Sequence, residues 1–167
     1  MSPLIIEEAY HRVDFDRELV FKFFIAFSLF EKALKENGFH QERGNSEDIQ
    51  PDWRRFATTI DEQFTANKNL PDNQELRTAI DYLLSIPPKK QVFRDGRIQF
   101  VNTERSSDSD TEWLAVLINR VRNNLFHGGK FSYDRPRDTE LLRYSLIILE
   151  EWANLNSDVK RALLEVI

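Results

Sequence analysis

The stretch Leu19-Val-Phe-Lys-Phe-Phe-Ile-Ala-Phe-Ser-Leu-Phe-Glu-Lys-Ala-Leu34 decides the fold class. It lies inside a run from Leu4 to Asn37 that holds neither glycine nor proline, the two residues least favoured in a helix interior. Leu19, Phe23, Phe27, Phe30 and Leu34 recur every three or four residues, which is the spacing of one helical face. Val20, Phe21, Phe24, Ile25 and Leu29 cover much of the remaining circumference. A helix apolar nearly all round is expected to be buried on several sides, and here one of those sides is expected to be a subunit interface. The Asn37-Gly38 pair ends the helix.

Working outward, a second run without breakers extends from Arg137 to Ile167. A helix from about Asp138 would bury Leu141, Leu142, Ile148, Leu149 and Trp152; Asn154 to Asn156 would break it, and Ser157 would cap a last short helix. Between the two long runs, Trp53, Phe56, Ile60 and Phe64 follow Pro51 at helical spacing. Leu76, Ile80, Leu83 and Leu84 mark another helix, from Asp72 to Ser85, stopped by Pro87-Pro88. Gln91 to Val101 alternates around Asp95-Gly96, a hairpin signal. A polar loop from Asn102 leads to a helix at about Thr111, with Asp110 as its expected cap. Its stripe of Trp113, Leu114, Leu117, Ile118, Val121 and Leu125 runs up to Gly128-Gly129. The expected architecture is a single domain over residues 1–167, an all-α helical bundle. A helix plus a small β-hairpin segment are inserted between about 38 and 110.

Composition agrees with one globular domain. Of 167 residues, 41% are hydrophobic and 13 are Phe, more aromatic content than a disordered chain carries. The absence of Cys excludes a disulfide framework and thiolate metal ligation. His11, His40 and His127 are scattered, so no metal and no cofactor are expected. Leu19 to Leu34 is interrupted by Lys22, Glu31 and Lys32 and is too short for a membrane span. The opening MSPLIIEEAY is acidic where a signal peptide would be basic, and a cytoplasmic protein is expected.

Charge is unevenly spread. The total is −5, which argues against a generic nucleic-acid coat. Between Arg120 and Arg137, however, Arg120, Arg122, Lys130, Arg135 and Arg137 face only Asp134, a local excess of +4. Such a segment can bind phosphate, although a helix C-terminus also carries a basic bias of its own. On an ideal helix Arg120 and His127 are nearly eclipsed, with Asn123 and Asn124 between them. A guanidinium holds phosphate oxygens with a fork of donors, and a His can move protons near neutral pH. Together they suit phosphodiester chemistry.

Arg122-Asn123-Asn124-Leu125-Phe126-His127 resembles the R-x4-6-H motif of the HEPN superfamily, including the polar residue favoured directly after the arginine. Arg120 to His127 also fits the motif in its six-spacer form. The resemblance implies an all-α, usually dimeric bundle of the kind found in metal-independent ribonucleases of toxin–antitoxin and phage-defence systems. It implies that an RNA 2′-hydroxyl attacks the adjacent phosphate, leaving a 2′,3′-cyclic phosphate. Arg122 and His127 would be catalytic, the first contacting phosphate and the second assisting proton transfer. Arg120, Asn123, Asn124 and Lys130 would contact substrate, with Asn123 positioning the pair or the RNA. RNA, a second copy and an antitoxin or effector protein are the implied partners. In HEPN toxins paired with nucleotidyltransferases a tyrosine often lies two positions beyond the histidine; here Gly129 stands there, so regulation by modifying that tyrosine is not implied.

Other readings compete. The same cluster would serve a non-catalytic module that binds a nucleotide or a partner protein, or would be a capped helix end. Asp14, Asp16 and Glu18 read as a solvated helix start, since residues two apart on a helix diverge. Asp108 and Asp110 lack the Gly and closing Glu of a calcium loop. Pro87-Pro88-Lys89-Lys90 is either a helix stop or a peptide- or RNA-contact feature beside the hairpin.

Overall fold

A computed structural model of the chain describes residues 4–12, 15–42, 47–126 and 135–165. In chain order its elements are α1 (Ile5–Arg12), α2 (Arg17–Glu36), β1 (His40–Glu42), β2 (Ile49–Pro51), α3 (Trp53–Lys68) and α4 (Gln74–Ser85). There follow β3 (Lys90–Arg94), β4 (Arg97–Val101), α5 (Asp110–Phe126), α6 (Arg135–Leu155) and α7 (Ser157–Leu164). The described chain is thus mostly helical, with two small antiparallel ribbons, β1–β2 and β3–β4. No described helix is long and apolar enough to cross a membrane.

Long helix α6 is the hub, packing against α2, α3, α4, α5 and α7. An aromatic chain runs through the centre. Trp53 of α3 stacks with both Phe27 and Phe30 of α2, with ring centroids 5.0 and 5.3 Å away. Phe56 meets Phe30 edge-on at 5.4 Å and reaches Trp152 of α6 at 6.2 Å. Full burial of each such side chain contributes about 1.5–3 kcal/mol, and the layer joins α2 to α3 and, through Phe56 and Trp152, α3 to α6. Residues 38–110 are not set apart from the bundle: Trp53, Phe56, Ile60, Phe64, Leu76, Ile80 and Leu83 all belong to the same core.

Several ends differ from expectation. The run from Leu4 is two helices, and α2 begins where the acidic residues read as a helix start, with Asp16 accepting the Leu19 N–H at 3.0 Å. The cap of α5 is Ser109, whose hydroxyl accepts the Glu112 N–H at 3.2 Å, while Asp110 instead pairs with Arg105 and Lys68. Asn156, not Ser157, caps α7 by accepting the Val159 N–H at 3.0 Å. The end of α2 is as read: Gly38 takes a φ of +82°, and the Phe39 N–H returns to the Leu34 carbonyl. The β3–β4 turn also follows the reading, with positive φ at both Asp95 and Gly96.

Ribbon β1–β2 was not legible in the polar stretch before Pro51. It is tied by the Asp52 N–H to the Phe39 carbonyl, and Phe39 packs edge-on to Phe56. The outer face of α2 is a further difference. Phe21, Phe24 and Ile25 are 65%, 41% and 39% exposed, so the chain alone does not bury α2 all round.

Candidate site on helix α5

Helix α5 carries the arginines and asparagines of the motif, and its helical phase sends them to different places. Trp113, Leu114, Leu117, Ile118 and Val121 face the core, which fixes the rotation of the helix. Arg120 and Arg122 are then about 160° apart around the axis. They do not converge on one phosphate.

Arg122 faces the outer edge of α2. Its guanidinium lies 5.7 Å from the Phe27 ring centroid and 5.6 Å from that of Phe126, within cation–π range. Phe126 in turn meets Phe24 edge-on at 5.4 Å. The Asn123 side-chain oxygen accepts a hydrogen bond from Arg122 Nη1 at 3.0 Å. Among the described residues no carboxylate pairs with Arg122. The described neighbours that hold the guanidinium are thus neutral groups.

Arg120 faces a cleft of about 540 Å³ between α5, the start of α3, the β1–β2 ribbon and the Ser106–Ser107 turn. Its guanidinium lies over the Trp113 ring at 4.9 Å, and burial pulls its pKa below the ordinary arginine value. Glu112 sits in the same cleft and accepts from Ser107 Oγ at 2.8 Å, Thr58 Oγ1 at 2.9 Å and Arg54 Nε at 3.1 Å. The Ser107 hydrogen bond, then that of Thr58 and the weaker charge of Arg54, hold the carboxyl below the usual range against the opposing effect of burial. With its oxygens so engaged, Glu112 fastens α5 to α3.

Asn123 is exposed and lines the mouth of this cleft while bonded to Arg122. Asn124, one residue on, is 5% exposed and donates to the Lys89 carbonyl at 2.9 Å. Its amide is used inside the protein, away from the cleft. His127 and Lys130 lie outside the described residues, as does the Gly128-Gly129 stop. Arg120, Asn123 and Glu112 thus share one cleft, whereas Arg122 stands on the other side of the helix.

Arg54, Ser107, Glu112 and Asn119 also line the cleft and were not singled out from the sequence. Glu112 and Asn119 could have been found, because they fall with Arg120 and Asn123 on one stripe at helical spacing. Arg54 and Ser107 reach the cleft from other segments, and no local pattern announces them. Among the described residues no three His, Asp or Glu side chains converge as a metal site requires. Against models of protein families, curated proteins and solved structures, the chain has no match.

Proposed function

We propose that the chain is a metal-independent endoribonuclease of the HEPN type, acting as a homodimer in a cytoplasmic toxin or phage-defence setting. One observation carries the reading. Arg122 stands half-buried, without a carboxylate partner among the described residues, braced by Asn123 and two phenylalanine rings, five positions before His127. On a chain of net charge −5 with carboxylates in excess, an arginine fixed by neutral groups is suited to an incoming anion.

In this reading the RNA 2′-oxygen attacks the adjacent phosphorus and the P–O5′ bond breaks. Arg122 stabilises the charge gathering on the phosphate oxygens, Asn123 orients Arg122, and His127 assists the transfer by which the 2′-hydroxyl loses its proton and the leaving O5′ gains one. Arg120, at the cleft, and Lys130 hold flanking phosphates. The exposed Phe21, Phe24 and Ile25 beside Phe126 and Arg122 supply an apolar face for a second copy, which would bring two motifs together. The Arg120 cleft also favours a second reading, a module that binds a nucleotide or partner without cutting.

The test is cleavage of end-labelled RNA in excess EDTA. Wild type should leave cyclic-phosphate ends, and His127→Ala or Arg122→Ala should lower the rate by about 100-fold or more. Arg120→Ala should lower affinity more than rate. Binding of RNA or nucleotide with no cleavage across total RNA and tRNA would favour the second reading.

A further inference from the structure

We propose that the β3–β4 ribbon is an arm that grips single-stranded RNA beside the motif; this rests on the reading of the chain as an RNA-directed protein. The register pairs Arg94 with Arg97, Phe93 with Ile98 and Lys90 with Val101. Directly opposed residues share a face and successive pairs alternate, so Lys90, Arg94 and Arg97 stand on one face and Phe93 and Ile98 on the other. Phe93 is 74% exposed and Ile98 59%.

None of these cations, nor the neighbouring Lys89, forms an ion pair with a described residue. The ribbon's own acid is Asp95, in the turn. Like charges placed directly opposite on two strands repel, so the Arg94–Arg97 pair costs local stability unless an anion lies across it. On a chain of net charge −5, this concentration of cations without ion-pair partners among the described residues favours a polyanion. A cationic face with an exposed aromatic on its reverse suits a single strand that crosses the ribbon's edge, its phosphates on the cations and an unstacked base on Phe93. A base inside an A-form duplex would be hidden from Phe93.

The arm is also aimed. Asn124 of α5 donates to the Lys89 carbonyl at 2.9 Å, and Arg137 of α6 donates to the Pro87 carbonyl at 2.9 Å. Its base is therefore clamped to both helices that flank residues 127–134, and from there the strands run about 13 Å to the turn. RNA lying along it would lead to the end of α5 that holds Arg122.

Fluorescence anisotropy with a short labelled 2′-O-methyl oligonucleotide, which 2′-hydroxyl attack cannot cleave, tests this. Arg94→Glu/Arg97→Glu should weaken binding at least about tenfold and make the plot of log affinity against log salt shallower by about 1.4. Phe93→Ser should weaken binding about tenfold with little change in that slope. Both variants should keep the wild-type circular dichroism, because the altered side chains are exposed. Unchanged affinity in both, with a loss in Arg122→Ala, would overturn the arm and leave the nuclease reading standing. Weakened binding by the ribbon variants of a wild type that cuts nothing would uphold the arm and remove the nuclease reading. No binding by wild type, or equal binding of an oligoglutamate peptide, would overturn the arm as an RNA contact.

Discussion

Asn123 and Asn124 are chemically identical neighbours with opposite surroundings. One step of about 100° along α5 separates an exposed amide that orients Arg122 from a buried amide that donates to Lys89. Removing the buried one leaves the Lys89 carbonyl without its donor and a small void beside it. Asn124→Ala should therefore lower stability by about 1–2 kcal/mol, read as a shifted urea midpoint with an unchanged slope. Asn123→Ala should stay within about 0.5 kcal/mol of wild type and, in the proposed nuclease, lower RNA turnover instead. If the two substitutions destabilise equally, the assignment of Asn124 to the interior and Asn123 to the site is wrong.

Between elements, Glu112 is the joint. It gathers donors from α3 and from the turn before α5, so the position of α5 depends on its charge. Because the folded state lowers its pKa, the stabilisation is complete above the ordinary carboxylate range. It is lost as pH falls through the lowered value, when the carboxylate takes up a proton. Glu112→Gln should melt below wild type at neutral pH, and the gap should narrow as pH falls below the ordinary carboxylate range. Melting curves followed at 222 nm across that range check this. A gap that stays constant would mean that the charge of Glu112 contributes nothing to the joint.

For the whole molecule, the outer face of α2 is the exposed apolar surface that a partner would cover in the proposed dimer. Phe21, Phe24 and Ile25 form an apolar face that continues through the Phe24–Phe126 contact to the end of α5. Apolar patches of this kind on a folded domain mark interaction sites. In the proposed dimer, Phe21→Ser/Phe24→Ser should raise the dissociation constant by roughly thirtyfold or more, seen by sedimentation velocity over a dilution series. Cleavage should fall with dimer content. A wild type that sediments as a monomer at all concentrations would remove the dimer from the reading.

Much of this architecture is written in the chain. The spacing of Leu19, Phe23, Phe27, Phe30 and Leu34, the Asn37-Gly38 stop and the Asp95-Gly96 turn each act within a few residues. Their outcome follows from local sterics and from the period of the helix or strand. Caps were less legible: Ser109 and Asp110, or Asn156 and Ser157, are adjacent competent residues, and helix phase selects one of each pair. The candidate site was legible only along α5, where Arg120, Asn123 and Asn124 follow one another. Which asparagine turns inward, the meeting of Arg54, Ser107 and Glu112 at one cleft, and the clamp of Lys89 beneath Asn124 depend on packing between segments far apart in sequence. No short-range pattern encodes those contacts. They arise when α3, α4 and α6 close on the apolar stripe of α5 and leave its remaining residues the places that are left.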